Sequence, residues 1–354
     1  MPQFCCGIFY WINIFDKKNL KMSKLYIFIL LIGIFLSSCN NNHSYYKLGG
    51  YAQGTTYHIT YQGNEEYSGE IDSLLKAFDL SLSTYIENSI ISRINTNDTS
   101  VVPDSLFIEF FSKSKEVYEQ SEGAFDITVA PLVNAYGFGF SKKSDIDSVL
   151  IDSLMQFVGM DKVKLEHFRL IKSDPRIMLD GNAIAQGQSV DYVSEFLENK
   201  GVKNYLVEIG GEIRAKGLNP NGELWRVGID KPIEHSDESN RQLQAVIELK
   251  NKSLATSGNY RKFYEEAGMK YSHTINPKTG YPAKQSILSA TIIADDCITA
   301  DAYATTCMVI GLEKSMELLK RLGNLDAYLI YPDPEHPDKY KIFMTEGMKK
   351  MISE

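Results

Sequence analysis

The sequence predicts an α+β fold of mixed, largely antiparallel sheets flanked by helices. Helical and strand patterns follow one another without a steady strand–helix–strand repeat, which disfavours a doubly wound parallel sheet. The chain of 354 residues, 44% of them hydrophobic, is long and apolar enough to bury a large core. No internal repeat or long linker interrupts it, so we expect one large domain or two intimately packed ones.

Residues 1–38 are predicted to be an extension followed by a secretory signal peptide. Two lysines flank the start of an apolar run at 25–36, and small residues close it. This order is typical of a signal peptide, and the run is too short for a comfortable transmembrane helix. Residues 36–39 resemble the bacterial lipobox, which predicts a lipoprotein acylated at Cys39 on the periplasmic face of a bacterial membrane. An uncleaved anchor and a plain signal peptide are the alternatives, and residues 39–47 are the predicted polar tether.

Charge and cysteine content exclude several classes of protein. The net charge of −8, with no basic stripe to offset it, argues against a nucleic-acid surface. Cys297 and Cys307 are ten residues apart, and on one helix this spacing separates them by about 15 Å. That distance is too long for a disulfide. We therefore expect two buried thiols and no zinc or redox site of the CxxC type.

Local patterns place the elements along the chain. Four helices are predicted besides the one that begins near Asp295. One of the four follows a small-residue loop after Asp180, and Gly323 closes the last. Tyr205–Arg214 is expected to be a strand interrupted by two glycines, which mark a bulge, a close approach or a hairpin turn. The predicted helices span 70–80, 105–121, a segment ending near 199, and 312–322; the other predicted strands span 51–61, 176–180, 225–229, 244–249, 327–331 and 341–344.

Two acidic residues stand beside glycine turns. Asp126 lies between Phe125 and Ile127, and a carboxylate among apolar neighbours is either a cap or a ligand group because its unpaired burial is costly. Asp180 ends a predicted strand and precedes a small-residue loop and a helix start, an arrangement suited to phosphate binding. The loop has neither the Walker nor the dinucleotide glycine spacing.

The segment from Tyr271 to Thr306 is the centre of the functional prediction. It contains the titratable His273 beside two prolines and a glycine, and then Asp301 and Thr305 on a predicted helix. Residues four apart share one helix face. A carboxylate and a hydroxyl there make an oxygen-only site suited to Mg²⁺. A solvated helix face is the alternative explanation of the same spacing.

Seven ordered segments resemble the ApbE family, whose members are FAD:protein FMN transferases. The resemblance covers residues 48–345 and leaves 346–354 as a predicted C-terminal tail. It implies a single unit with two intimately packed lobes. The segments are Gln53–Tyr57, Gly123–Asp126 through Leu132, Leu179 through Gly187, Glu208–Glu212, Ser257–Tyr260, Ser272–Pro282 and Ala300–Thr305.

This resemblance implies Mg²⁺-dependent transfer of FMN from FAD to a Thr or Ser hydroxyl of an exported flavoprotein, with release of AMP. His273 would be the base that accepts the hydroxyl proton. The metal would be held by Asp301, Thr305 and the backbone carbonyl of Ala183. The implied FAD contacts are Gln53, Tyr85, Ala124, Phe125, Asp126, Asp180, Gln186 and Ile275.

The chain departs from the family pattern at three positions. Gln53 stands where Met is usual, Gln186 where Lys or Glu is usual, and Asn276 where Asp is common. Two other functions therefore stay open: an FAD pyrophosphatase that uses water as acceptor, and a lipoprotein that binds flavin without chemistry. The acceptors implied by the resemblance are subunits of membrane redox complexes and FMN-binding-domain proteins.

Overall fold

A computed structural model describes residues 44–139, 144–233, 242–258, 263–266, 269–272, 274–283, 286–336 and 339–353. The predicted signal peptide, Cys39 and His273 lie outside these ranges. Residues 45–354 belong to one compact unit. None of the described helices is long and apolar enough to cross a membrane.

The described ranges contain nine α-helices and fifteen strands. The helices are α1 Ser68–Leu82, α2 Ile90–Asn95, α3 Ser105–Gln120, α4 Ala130–Ala135, α5 Ser148–Met155, α6 Ala185–Asn199, α7 Cys297–Ile310, α8 Leu312–Leu322 and α9 Glu346–Met351. The strands are β1 Ser44–Ala52, β2 Thr55–Gly63, β3 Val163–Glu166, β4 Arg169–Lys172, β5 Tyr205–Ile209, β6 Glu212–Lys216, β7 Trp225–Asp230, β8 Leu243–Leu249, β9 Lys252–Gly258, β10 Phe263–Glu266, β11 Met269–Ser272, β12 Ser289–Ala294, β13 Asp326–Pro332, β14 Tyr340–Met344 and β15 Ile352–Ser353. Short 3₁₀ turns at Ile127–Val129 and Met160–Lys162 complete the set.

The main sheet has eight strands in the order β1-β2-β5-β6-β9-β12-β13-β14. Every pair from β2 onward is antiparallel. A three-stranded antiparallel sheet, β15-β8-β7, and two hairpins, β3-β4 and β10-β11, accompany it. The predicted α+β class, with antiparallel sheets and flanking helices, is confirmed.

Alternating side chains in the central strands place the main sheet between two apolar layers. Successive side chains of a strand point to opposite faces. Ile292 of β12 and Leu329 of β13 pack with the helices in one cluster, whereas Ile293 and Ile330 pack with the three-stranded sheet in another. A strand between two such layers is therefore buried at consecutive positions, and all six residues of β12 are buried.

Helix α7 lies in the centre of the helical layer. Twelve of its fourteen residues are buried, including both cysteines, which are free thiols as predicted. Small residues such as Ala300 and Ala304 allow neighbouring elements to approach it closely. Asp296 caps its first turn by accepting a hydrogen bond from the Thr299 backbone N–H at 2.9 Å.

Two predicted strands differ from the structure, and a third adopts one of the alternatives predicted for it, a hairpin. The segment 51–61 is divided by a two-residue turn, because Gln53 and Gly54 have φ of 53° and 75° and join β1 to β2 as a hairpin. Gly210 and Gly211, with φ of 65° and 108°, likewise make the hairpin between β5 and β6. The prediction of a strand at 176–180 is wrong, since this segment pairs with no described strand.

Both ends of the folded unit extend beyond the predicted boundaries. β1 begins at Ser44, within the segment assigned to a tether, and the Tyr45 hydroxyl donates to the Leu218 carbonyl at 3.0 Å. At the other end, α9 and β15 occupy 346–353, the segment assigned to a tail. Met348 is fully buried there and β15 pairs with β8. A six-residue helix with three charged residues and a two-residue strand give too weak a periodic signal to be separated from a tail by sequence.

Candidate active site

One large cleft gathers the predicted metal ligands and FAD contacts. Its volume is about 1390 Å³. Binding pockets for small ligands are typically about 300–1,000 Å³, so the cleft has room for a dinucleotide. Among the residues that line it are Gln53, Tyr85, Ala124, Phe125, Asp126, Asp180, Ala183, Gln186, Ile275, Asp301 and Thr305.

Helix α7 presents Asp301 and Thr305 to this cleft. The two side chains are four residues apart on one helix, so they lie on the same face, as the sequence spacing predicted. The Thr305 hydroxyl lies 3.1 Å from the Ser257 hydroxyl at the end of β9. This contact orients the Thr305 oxygen at the wall of the cleft.

Asp301 is anchored on one oxygen only. Its Oδ2 accepts a hydrogen bond from the Gly187 backbone N–H at 2.9 Å, and Oδ1 accepts none from the described residues. Burial raises the pKa of Asp301 to about 7, because the apolar surroundings penalise the charged form. A buried carboxylate with one unpaired oxygen is suited to a cation as its counter-charge.

The start of α6 offers one amide and one backbone carbonyl outside the regular helical hydrogen bonds. Gly187 is the third residue of α6, so its N–H has no carbonyl acceptor within the helix and donates to Asp301. Ala183 precedes the helix, and its carbonyl accepts no hydrogen bond within the described ranges. The carbonyl is therefore available for a ligand in the cleft that Ala183 lines.

Absence of a side chain at Gly187 makes this contact possible. A Cβ atom there would lie 2.7 Å from the Asp301 Cβ and closer still to the Cys297 carbonyl oxygen. Only glycine lets the start of α6 come this close to α7. The donor set of Asp301 Oδ1, Thr305 Oγ1 and the Ala183 carbonyl consists of hard oxygens and fits Mg²⁺.

The segment leading to Asp180 is held by side-chain contacts. The Asn95 amide donates to the Leu179 carbonyl at 2.9 Å, and its oxygen accepts from the Leu179 N–H at 2.7 Å. The Asp180 N–H donates to the Ile127 carbonyl at 2.7 Å, and its Oδ1 accepts from Asn182 N–H at 2.9 Å. Burial raises the pKa of Asp180. These hydrogen bonds hold the acidic loop at the cleft, although the loop pairs with no described β-strand.

Asp126 is both a cap and a cleft residue. Its Oδ1 accepts hydrogen bonds from the Thr128 N–H at 2.7 Å and the Thr128 hydroxyl at 2.5 Å, and caps the 3₁₀ turn. Burial raises the pKa of Asp126 to about 6, although the bonds from Thr128 oppose the shift. Phe125, beside it, is buried in the apolar core.

Two glutamines lie where the family pattern has other residues. The Ser189 hydroxyl is 3.1 Å from Gln53 Oε1, while Gln53 Nε2 is buried and has no hydrogen-bond partner among the described residues. Gln186 Nε2 donates to the Ile209 carbonyl at 3.2 Å and lies directly over Gly210, where a Cβ would collide with it. Gln53 thus offers an unpaired donor for a ligand at the cleft.

The remaining predicted contacts differ in accessibility. Tyr85 is 66% exposed, so its ring can stack on a planar ligand. Ile275 is buried and bridges to Pro282. The roles of all the described site residues stay predictions, and His273 lies outside the described ranges.

Sequence reasoning missed several residues that shape the site. Asn95, Ser257 and Gly187 carry no distinctive side-chain signal. Asp191 does carry one, since an acid inside the apolar stripe of a helix implies a buried partner. A further potential metal group, Asp333, Glu335 and His336, is not part of the cleft lining, and Asp333 is engaged by Lys341 at 3.0 Å.

Comparison with known proteins identifies the family of the chain. The model of the ApbE family matches residues 53–329. An FAD:protein FMN transferase of Haemophilus influenzae is 36% identical over 327 residues, which are 87% of this chain and 93% of that protein. One of Vibrio cholerae is 37% identical over 331 residues, covering 90% and 96%. The solved structure of the Vibrio cholerae flavin transferase ApbE superimposes with a TM-score of 0.77 at 32% identity, covering 87% of this chain and 99% of the other. The ApbE protein of Thermotoga maritima gives 0.75 at 25% identity, covering 88% and 100%.

Proposed function

The chain belongs to the ApbE family, and we propose that it transfers FMN from FAD to a Thr or Ser hydroxyl of an exported flavoprotein, with release of AMP. The observation that carries the proposal is a set of three oxygens in one cleft. The Ala183 carbonyl and one oxygen of Asp301, whose other oxygen accepts from the Gly187 amide, are unpaired in the described structure and lie beside Thr305. Such an arrangement has no evident use in a protein that only packs its core.

Residues of the cleft fit both FAD and Mg²⁺. The volume accommodates a dinucleotide, the unpaired Gln53 Nε2 offers a donor, and Tyr85 offers an aromatic face. Asp301, Thr305 and the Ala183 carbonyl would hold the metal. When bound, Mg²⁺ would offset the negative charge of the pyrophosphate and of the leaving AMP.

His273 is proposed as the general base. The acceptor hydroxyl oxygen forms a bond to the FMN phosphorus, the bond from that phosphorus to the bridging oxygen of the pyrophosphate breaks, and AMP leaves with the bridging oxygen. The hydroxyl proton passes to the imidazole, whose pKa near neutrality suits it to accept a proton at that moment. His273 belongs to this proposal through the family resemblance.

We further propose that the enzyme is an exported lipoprotein acylated at Cys39, and that its acceptor is a subunit of a membrane redox complex or an FMN-binding-domain protein. The signal-like residues 1–38 and the lipobox-like motif support export. Globomycin treatment of expressing cells would test the anchor, because a lipoprotein precursor accumulates when its signal peptidase is inhibited. No shift in size on treatment would contradict acylation.

Mass spectrometry of an acceptor tests the transfer directly. The detergent-solubilised full chain is incubated with FAD, Mg²⁺ and one acceptor of each class, with EDTA as the metal control. We expect a metal-dependent gain of one FMN on a Thr or Ser of an acceptor. His273→Ala and Asp301→Ala should abolish the gain, whereas Asp295→Asn, a change at an exposed carboxylate next to α7, should retain it.

Other outcomes would contradict the proposal in distinct ways. Accumulation of AMP and free FMN without labelling would favour the pyrophosphatase. Intact FAD with both acceptors would favour a flavin-binding lipoprotein. Full labelling by both site variants would show that the chemistry lies elsewhere.

A further inference from the structure

We propose that Asp191 and Arg214 form a positioning pair that sets the place of the metal-binding helix α7. The inference rests on the proposed function, because it takes Asp301 and Thr305 as the metal ligands. Neither Asp191 nor Arg214 lines the cleft, so both would act through α7 and not by contact with substrate.

Both oxygens of the buried Asp191 carboxylate are engaged. Oδ1 accepts a hydrogen bond from Arg214 Nη1 at 2.8 Å, and Oδ2 accepts one from the Ile298 backbone N–H at 2.8 Å. Asp191 lies on α6, Arg214 on β6 and Ile298 in the first turn of α7. One carboxylate therefore ties three elements together.

Helix α6 holds α7 at two points along one face. Gly187 and Asp191 are four residues apart on α6, so they share a face. They contact Asp301 and Ile298, which are three residues apart on α7 and also neighbours on its surface. Two hydrogen bonds at separate levels fix both the rotation and the axial position of α7. Loss of the Asp191 contact would leave Asp301 held by the Gly187 amide alone.

Arg214 connects this contact to the main sheet. Its Nη1 pairs with Asp191 while Nη2 lies 3.3 Å from Glu198 Oε1, and the same Glu198 oxygen accepts from the Tyr205 hydroxyl at 2.5 Å. A guanidinium has a planar fork that can serve two carboxylates at once, which an ammonium on a flexible stem does less well. The sheet thereby determines the direction in which the Asp191 carboxylate points.

Stability alone does not account for a buried ion pair at this position. Well-packed apolar side chains are often as stable as a buried pair, because removing two charges from water is costly. The Asp191 carboxylate also supplies the acceptor for an N-terminal amide of α7, next to the Asp296 cap on Thr299. An apolar replacement would lose this acceptor, and with it the fixed start of the helix that carries the ligands.

Metal binding to the full chain in detergent tests the inference. Free Mn²⁺ is titrated by electron paramagnetic resonance in the presence of FAD, and the activation constant for Mg²⁺ is measured separately from kcat. We expect Asp191→Ala to weaken Mn²⁺ binding by about 10-fold, at the lower end of the effect of losing a direct partner of a metal ligand, because Asp191 acts on Asp301 and Thr305 through the start of α7. The value of kcat at saturating Mg²⁺ should stay near that of the wild type.

Conservative and control variants separate positioning from general destabilisation. Asp191→Asn keeps an oxygen for the Ile298 amide but loses the ion pair, so its Mn²⁺ affinity should lie between those of Asp191→Ala and the wild type. It also allows the Mn²⁺ affinity to be measured if Asp191→Ala does not fold. Asp98→Ala breaks a more exposed Asp–Arg pair, with Arg93 Nη2 at 2.7 Å, whose two members do not line the cleft. It should leave Mn²⁺ binding unchanged.

The contrary results are distinguishable. If the wild type binds Mn²⁺ and labels an acceptor while both Asp191 variants bind Mn²⁺ within threefold of it, the positioning role is overturned and the proposed function stands. If the wild type does not bind Mn²⁺ at all, the proposed metal site and the positioning role are both overturned.

Discussion

Single residues that line the cleft also make structural contacts. Asp301 accepts from Gly187 with one oxygen and keeps the other free of described donors, and Asp126 caps a 3₁₀ turn at the wall of the same cleft. The sequence predicted that Asp301 and Thr305 share a helix face, since their spacing alone determines this. No comparable signal exists for the Ala183 carbonyl. Every residue has a backbone carbonyl, so residue identity does not mark one of them as a metal ligand. That ligand came only from the family resemblance.

Burial of Asp126 predicts a stability that depends on pH. Its pKa is raised from 3.8 to about 6, so the folded state binds more protons than the unfolded state between these values. Stability is therefore lost as pH rises through this window. Asp126→Asn keeps the oxygen that caps Thr128 and removes the penalty. At pH 7.5 it should be more stable than the wild type by up to about 3 kcal/mol.

Urea unfolding of the metal-free protein at pH 4 and pH 7.5 measures this difference. The gap between Asp126→Asn and the wild type should be small at pH 4 and open at pH 7.5. Asp295→Asn, at an exposed carboxylate, should show no gap at either pH. A gap of equal size at both pH values would mean that packing, and not ionisation, separates the two proteins.

At the scale of elements, long periodic helices were predictable and isolated extended segments were not. The helix predicted at 105–121 is observed at Ser105–Gln120, and the one at 312–322 has the predicted bounds. By contrast, the segment 176–180 has the composition of a strand but is held by Asn95 and Ile127. The local composition of a segment indicates that it is extended and buried. The segment with which it pairs depends on residues distant in sequence.

The contact between α6 and α7 predicts that Gly187→Ala is severely disruptive. The new methyl group would collide with the Cys297 carbonyl and the Asp301 side chain, neither of which is the end of a flexible chain. The helices would separate and the Gly187–Asp301 hydrogen bond would lengthen or break. We expect a loss of more than 10-fold in Mn²⁺ affinity and a lower unfolding temperature, measured by titration and by differential scanning calorimetry.

Gly69→Ala is the matched control for this change. Gly69 also lies in the first turn of a helix, α1, but a Cβ there meets no atom within 4 Å. Alanine favours a helix over glycine by about 1 kcal/mol, so this variant should be as stable as the wild type or slightly more so. Normal Mn²⁺ binding by Gly187→Ala would refute the close helix contact as the basis of the site.

At the scale of the whole molecule, the order of the strands in the main sheet could not be predicted from the sequence. Local patterns located most strands, yet the order β1-β2-β5-β6-β9-β12-β13-β14 depends on pairings such as Ile213 with Leu254 across distant segments. The same holds for β15, a two-residue strand that pairs with β8 and thereby completes a sheet whose other edge, β7, lines the cleft. The C-terminal segment is thus connected to the site through two strand pairings.

This connection predicts that Met348→Ala affects the cleft. Met348 is fully buried on α9 in the cluster that packs the three-stranded sheet against the main sheet. Truncation of a buried Met typically costs about 2–5 kcal/mol, because the cavity does not collapse fully. We expect a loss of this size in the free energy of unfolding, and faster hydrogen exchange that extends from α9 through β15 and β8 to β7. FAD binding should weaken, since β7 forms part of the cleft wall.

Met316→Ala, at a half-exposed methionine on α8, is the control. It should change the free energy of unfolding, the hydrogen exchange and the FAD binding by no more than the measurement error. Exchange confined to α9, with unchanged FAD binding, would instead mean that the C-terminal helix is an independent attachment and that the cleft is supported by the main sheet alone.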